Sequence, residues 1–272
     1  MSQTRSSHTT FSGSIPEPYH RRLGPFLFQA YARDLASRVP AHEGARVLET
    51  ACGTGIVTRA LLGRLPASAR ISATDLNQAM IDFARSEVPE DPRLEWRTAD
   101  AQQLPYDEHT FDAVVMQFGI MFVPDKPLAM REAKRVLKPG GRLVYNTWDS
   151  FARNAFARIT HEALGKAFPA DPPTFYLVPF GDHDPDEHRA RVEAAGFRDV
   201  NVEGVAVEST AESAEYLAVG LVRGNPISIS DSERGKLTLE EVERQLADAL
   251  RSELGDRPLR CSLHAWVVTA TA

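Results

Sequence analysis

From Ala45 to Trp148 the chain alternates short β-branched runs with amphipathic stretches, and this rhythm narrows the possible folds more than any other feature. The runs ARVLET (45–50), RISATDL (70–76), RLEWRTAD (93–100), TFDAVVMQFG (110–119) and GRLVYNTW (141–148) predict five strands. Between them, IVTRALLGRL (56–65), NQAMIDFARSEV (77–88) and DKPLAMREAKRVL (125–137) have helical spacing, with Asn77 at an N-cap position and Pro139-Gly140-Gly141 as a stop. Strand and helix in strict alternation imply βαβ crossovers and a mainly parallel sheet.

Beyond Trp148 the rhythm loosens. Helices are expected over 152–168, 186–196, 211–222 and 237–253, and half-buried strands over 200–209 and 262–271. Residues 169–185 read as a long proline- and aromatic-rich segment, and 16–40 as an amphipathic helical stretch carrying Tyr19, Phe26, Phe28 and Tyr31. Together with Phe175 and Tyr176 these aromatics are candidates for a cover over the sheet edge, where open α/β folds bind ligands. The expected organisation is a disordered leader (1–15) followed by one domain (16–272). That domain divides into a helical cover (16–40), a ligand-binding core (41–149), a substrate lid (150–196) and the rest of the sheet (197–272).

Composition excludes several classes. A net charge of −6 with dispersed Lys and Arg gives no basic footprint for nucleic acid, and no apolar run approaches the ~20 residues that span a bilayer. Two cysteines, Cys52 and Cys261, make neither a zinc site nor a disulfide framework, a usage that fits a reducing cytoplasm. The polar start MSQTRSSHTTFSGS lacks the apolar core of a signal peptide.

The turn ETACGTG (49–55) ends the first strand and opens a helix, so its glycines lie where a ligand can approach bare backbone. Glycine there also serves a tight strand-to-helix connection. A phosphate is a poor ligand for this turn. A GxxxxGK[ST] loop needs a lysine and a hydroxyl where Ile56 and Val57 stand, and GxGxxG needs glycine where Thr58 stands. Glu49 would repel a pyrophosphate but suits a cationic amine. Asp75 ends the second strand about 20 residues past the glycines, the spacing at which a carboxylate takes ribose hydroxyls. An unphosphorylated nucleoside joined to an amino acid satisfies both acids.

This combination resembles the class I S-adenosylmethionine-dependent methyltransferases. ETACGTG stands for the family's glycine-rich signature and ATDLNQAMIDFAR for its second motif. TADAQQLPYDEHTFDAVVMQFGI (98–120) and REAKRVLKPGGRLVYNTW (131–148) are similar to the two segments that follow, so four motifs occur in order over 45–148. The resemblance implies a Rossmann-like, doubly wound, seven-stranded α/β sheet with its last strand antiparallel. S-adenosyl-L-methionine would be the methyl donor and S-adenosyl-L-homocysteine the product. It also implies that Glu49, Ala51, Cys52, Gly53, Thr54 and Gly55 meet the methionine part, Asp75 the ribose beside Leu76 and Met80, Asp100 and Ala101 the adenine, and Gln117 and Phe118 the sulfonium. Ala51 departs from the family's usual glycine but stays small.

The order of motifs looks most like the small-molecule branch related to the ubiquinone/menaquinone biosynthesis enzymes. The base-clasping [DNS]PP[YF] motif of nucleic-acid methyltransferases is replaced by MQFGIMFV, so the expected partner is a small-molecule acceptor, aromatic or apolar, methylated on O, N or C by in-line substitution. Tyr19, Phe28, Phe118, Phe122, Trp148, Phe151 and Tyr176 are its candidate lining. His20, His161 and His183 are candidate general bases. No metal is expected, because Pro185 interrupts helical geometry among His183, Asp184, Asp186 and His188. The expected protein is a cytoplasmic monomer or homodimer. The alternative is a catalytically silent S-adenosylmethionine-binding regulatory or scaffold protein.

Overall fold

In the computed structural model the apolar runs form β1 (Arg46–Glu49), β2 (Arg70–Asp75), β3 (Leu94–Thr98), β4 (Phe111–Gln117) and β5 (Leu137–Trp148), followed by β6 (Arg198–Ala211) and β7 (Leu259–Thr271). The structure describes residues 11, 13–227 and 237–272. Most of the expected leader lies outside the described residues; within the rest of it, Ile15 is buried. The strands form one sheet in the order β3-β2-β1-β4-β5-β7-β6. Neighbours from β3 to β5 are parallel, and β7 pairs antiparallel with β5 from Arg142↔Thr271 to Trp148↔Ala265. The expected mainly parallel sheet of seven strands with its last strand antiparallel is what forms.

Helices follow the predicted pattern: α1 (Pro16–Pro18), α2 (Gln29–Arg38), α3 (Ile56–Arg64), α4 (Gln78–Glu87), α5 (Lys126–Val136), α6 (Ala155–Ala167), α7 (Leu177–Gly181), α8 (Pro185–Ala194), α9 (Ala214–Arg223) and α10 (Leu239–Leu254). Several details differ from the sequence reading. Tyr19–Phe28 is a π-helical run containing Pro25, and the segment 169–185 contains the short helix α7. Asn77 occupies the N-cap of α4 without capping it by its side chain. The stop at the end of α5 holds, but β5 begins at once at Leu137. The Lys138–Gly141 stretch is then absorbed as a register shift against β4.

The chain divides into two compact units. The first comprises 1–28, 149–181 and 206–264 and carries α6, α7, α9, α10 and the π-helical run. Phe26 packs edge-on to Phe156, the Ser209 hydroxyl donates to the Phe26 carbonyl (2.5 Å), and Asn154 exchanges two hydrogen bonds with His264.

The second unit, 29–148, 182–205 and 265–272, contains the parallel sheet. Buried residues run nearly continuously along its central strands, successive side chains pointing to opposite faces, so both faces are buried. On one face Val47, Ile71, Ala113, Val115 and Val144 meet α2 and α3 through Leu35, Ala36, Val57 and Leu61. On the other, Leu48, Phe111, Val114, Met116, Leu143 and Tyr145 meet α5 and α8 through Met130, Ala133, Val136 and Val192. This is a doubly wound arrangement. The chain leaves β1 toward β2 and β3 and then returns to the far side of β1 as β4. The strand order therefore reverses at the carboxyl ends of β1 and β4, where open sheets bind ligands.

His188 sits wholly inside this second core. Its Nε2 donates to the Asp182 carbonyl (2.9 Å), leaving Nδ1 to accept from the Tyr145 hydroxyl (3.2 Å) and from Arg191 (3.1 Å). Burial and the Arg191 charge hold its pKa below 6.5, against the opposing pull of Asp182 and Glu187. Between that depressed value and 6.5 the unfolded chain takes up a proton that the folded chain refuses, so this contribution to stability is complete above pH 6.5 and is lost as pH falls. Thermal melts from pH 7.5 to 5 should show Tm falling below pH 6.5. His188→Leu should cost about 2 kcal/mol at pH 7, by stranding the Tyr145 hydroxyl while Arg191 keeps Asp182, and should flatten that fall.

Candidate active site

The turn after β1 is held by three main-chain bonds. Thr50 N–H donates to Val115 O (2.9 Å), Cys52 N–H to Thr74 O (2.9 Å) and Gly55 N–H to Cys52 O (3.0 Å). To make these bonds the backbone turns left-handed at Ala51 (φ 53°), Gly53 (φ 55°) and Gly55 (φ 80°). The two glycines serve different ends. A Cβ on Gly53 would meet nothing within 4 Å, so the backbone there is open to a ligand. A Cβ on Gly55 would lie 2.7 Å from Val88 and 3.2 Å from Trp96, so this glycine lets α3 and α4 pack closely.

Asp75, at the end of β2, is buried and accepts the Gly53 N–H at Oδ2 and the Asn77 N–H at Oδ1, each at 2.8 Å. Burial raises its pKa, and these backbone bonds oppose that rise. Leu76 is half-buried and Met80 buried at the start of α4. Asp100 is half-buried and ties its own turn, accepting the Gln102 N–H (2.8 Å) and amide while bridging to Gln103; Ala101 sits beside it.

Glu49 is fully buried at the end of β1, on the face that meets α3, and accepts the Thr58 hydroxyl (2.6 Å). Burial lifts its carboxyl to about 8, the Thr58 bond pulling against that rise and the Asp75 charge adding to it. The Cys52 thiol is likewise pushed up by burial, which argues against a reactive thiolate. Thr54 is buried beside it.

Across the switch point, β4 ends at Gln117, and Phe118 is again left-handed (φ 48°). Its N–H is held by Asn146 Oδ1 on β5 (2.9 Å). The Phe118 ring stacks on Trp148 with centroids 3.9 Å apart and planes 11° apart, and Tyr31 packs edge-on to both. Tyr31 is oriented by its hydroxyl, which donates to Val205 O (3.1 Å). Phe122, in the 3-10 turn Ile120–Phe122, is half-buried. The structure therefore gathers Glu49, the 51–55 turn, Asp75, Gln117, Phe118 and Trp148 around the carboxyl ends of adjacent strands. Sequence reasoning missed Asn146, a polar residue in an apolar, periodic run with no local motif to mark it; Tyr31, expected among the cover aromatics, packs against Phe118 and Trp148.

The remaining candidates belong to the first unit. Tyr19 stacks on Phe28 at 4.8 Å, and Phe151 lies between His161 (5.4 Å) and Phe180 (5.1 Å). The Tyr176 hydroxyl donates to Leu221 O and accepts from the Asn225 amide, so it is engaged in packing. His161 Nδ1 is buried without a hydrogen-bond partner, whereas His20 is half-buried and His183, in the second unit, is exposed. His188, weighed as a metal ligand beside His183, has both ring nitrogens occupied in the core.

Residues 48–145 match the family described as a methyltransferase domain. The ubiquinone/menaquinone biosynthesis C-methyltransferase of Geobacter sulfurreducens is 31% identical over 192 residues, covering 66% of this chain and 75% of that protein. The enzyme of that name from Idiomarina loihiensis is 28% identical over 197 residues, with the same coverage. A phosphoethanolamine N-methyltransferase of Haemonchus contortus, solved with S-adenosyl-L-methionine, superposes with a TM-score of 0.61 over 94% of this chain and 56% of its own, at 14% identity. That likeness bears on the fold.

Two couplings follow from this geometry. A Cβ on Gly119 would lie 2.7 Å from the Ala51 methyl and 2.9 Å from Met116, so Gly119→Ala should lower stability by about 1–3 kcal/mol. Adding Ala51→Gly, which removes the facing methyl, should recover a measurable part of that loss in denaturant unfolding; strict additivity would refute the coupling. For Glu49, the folded state holds a proton between about 4.5 and 8 that the unfolded state releases, so its burial grows more costly as pH rises through that window. Glu49→Gln should raise the Tm of the ligand-free protein at pH 8.5 by a few degrees and change it little at pH 5.

Proposed function

The chain belongs to the class I S-adenosylmethionine-dependent methyltransferases, of the ubiquinone/menaquinone biosynthesis type, and from that premise we propose that it methylates a small aromatic molecule of the quinol class. The observation that carries this reading is the meeting of the opened turn at Ala51–Gly55, the Asp75 carboxylate and the Phe118–Trp148 stack at the reversal point of the sheet. The two sequence relatives named above are, by their names, C-methyltransferases of ubiquinone and menaquinone biosynthesis. The flat aromatic stack beside Gln117 suits such a ring.

The residues present fit the methyl donor. A carboxylate has about four acceptor positions, so the bonds Asp75 takes from Gly53 and Asn77 leave capacity for the two ribose hydroxyls. Gly53 offers bare backbone to the methionine part, beside the main chain of Ala51, Cys52, Thr54 and Gly55, the last of which is closed in by Val88 and Trp96, and Asp100 and Ala101 would meet the adenine. Glu49 supplies a buried carboxyl that a nearby ammonium would draw into its charged form.

When bound, S-adenosyl-L-methionine supplies a methyl group already activated by the sulfonium charge. The chain's own task is to orient and desolvate. An acceptor held in line with the methyl, through a lone pair on O or N or the ring electrons of a carbon, would take it with the C–S electrons left on sulfur, and the acceptor's proton would pass to solvent or to a base. Alignment alone is worth effective molarities up to ~10⁵ M or more. Phe118, Trp148 and Tyr31 shield the end of β4 from water and offer ring faces to a cation.

The purified protein should bind S-adenosylhomocysteine at micromolar affinity or better, and Asp75→Ala should weaken that binding by about tenfold or more, as read by calorimetry. Incubation with labelled S-adenosylmethionine and separate panels of quinols, phenols, amines and carboxylates should transfer label to the quinol or phenol panel. Transfer to amines alone would overturn the acceptor class, and unchanged affinity in Asp75→Ala would overturn the donor site.

A further inference from the structure

Gln117 and Asn146 face each other across parallel β4 and β5 in direct register. By strand alternation both lie on the sheet face that carries Ala113, Val115 and Val144. Asn146 is wholly buried. Its Oδ1 is engaged by the Phe118 N–H, which fixes the amide orientation, since the flipped amide would set two donors against each other. That leaves Nδ2 as a donor, and it is buried without a partner; Gln117 Oε1 is a buried acceptor, also without one. Buried polar atoms are almost always satisfied, so two complementary orphans on adjacent strands mark a place for a ligand group.

We propose that Gln117 and Asn146 form a carboxamide pair that selects the methyl acceptor by a hydroxyl group on its aromatic ring. This rests on the function proposed above and adds the feature of the acceptor that is read. A hydroxyl donates one hydrogen bond and accepts another, and so completes both orphans at once. Other groups fit worse. An anion is repelled by the Gln117 oxygen, an ammonium leaves the Asn146 donor unmet, and an apolar group satisfies neither. The ring is placed by what surrounds the pair: Phe118 follows Gln117, Trp148 lies two residues beyond Asn146 on the same face, and their rings are stacked. Neutral amides also hold the hydroxyl with its proton on, so the pair positions the acceptor and the proton is lost only as the methyl arrives.

Sites built to hydrogen-bond a hydroxyl discriminate strongly against analogues that lack it. With the full-length protein saturated with S-adenosylhomocysteine, calorimetric titration should show 1-naphthol binding at least about tenfold tighter than its isostere 1-methylnaphthalene. Gln117, which the family resemblance set beside the sulfonium, is here assigned to the acceptor instead: in Gln117→Met that preference should fall by about fivefold or more, while S-adenosylhomocysteine affinity stays within about twofold and Tm does not drop, because an unpartnered atom has been removed. Asn146→Asp keeps an oxygen for the Phe118 N–H and removes the amide donor; it should lose the preference as well. An unchanged preference in Gln117→Met, or equal binding of both probes by the unaltered protein, overturns the proposal. Weakened S-adenosylhomocysteine binding in Gln117→Met reassigns the pair to the methyl donor and overturns it too. Failure of the unaltered protein to bind S-adenosylhomocysteine at all would instead sink the donor assignment on which the proposal stands.

Discussion

One carboxylate organises the carboxyl ends of β1 and β2. Asp75 bonds the backbone of Gly53 in the first crossover turn and of Asn77 at the start of α4, so the ends of β1 and β2 are joined through a single buried side chain. The main chain repeats the tie, with Cys52 N–H on Thr74 O and Ala99 N–H on Asp75 O, which brings in the end of β3. A buried carboxylate is costly unless hydrogen-bonded, and here the donors that satisfy it are the backbone groups of the ligand turn. The shape of the turn and the charge state of Asp75 are therefore a single constraint. Loosening either exposes the other.

Left-handed backbone makes the same point from a different side. Ala51 and Phe118 are non-glycine residues at positive φ, a conformation that costs free energy unless its surroundings impose it. Each is imposed by identifiable bonds: Thr50 to Val115 and Cys52 to Thr74 around Ala51, and Asn146 to Phe118. They stand at the carboxyl ends of β1 and β4, the two strands between which the chain reverses direction. Gly119 is the accommodation between them, since its missing side chain is what leaves room for the Ala51 methyl. The family's usual glycine at position 51 would meet neither restriction, and the alanine is tolerated because the residue facing it is small.

What could be read in the sequence follows from the range of the interactions. Strands β1 to β5 and their helices carry period-two and period-3.6 patterns that are local, and their bounds were legible to within a few residues, as were the opened turn and the spacing to Asp75. The short helix α7 was missed because Pro and aromatic residues dominate 169–185 and no amphipathic period shows there. The extension of β5 back to Leu137 was missed because Pro139-Gly140-Gly141 reads as a stop, whereas the structure keeps it within the strand as a shift of register. In the candidate site, Gly55 looked like Gly53. Only the third dimension separates a glycine that opens toward a ligand from one that admits Val88 and Trp96. Asn146 carried no signal at all, because a polar residue in VYNTW has meaning only through its cross-strand neighbour.

The chemistry asks little of the chain beyond position, and this explains where its polar groups have gone. A sulfonium needs no acid or metal to activate it, so in the function proposed above the acids near the end of β1 would serve the donor and the neutral and aromatic groups near the end of β4 the acceptor. Glu49 and Asp75 lie at the ends of β1 and β2, and Gln117, Asn146, Phe118 and Trp148 at the ends of β4 and β5. A charged residue in place of either amide would add a field at the reacting centre that the transfer does not require, because positive charge is dispersed as the methyl moves. Neutral amides orient without opposing that dispersal. The Asn146 bond that holds Phe118 left-handed ties this arrangement to the backbone, so a substitution at 146 acts first on the end of β4.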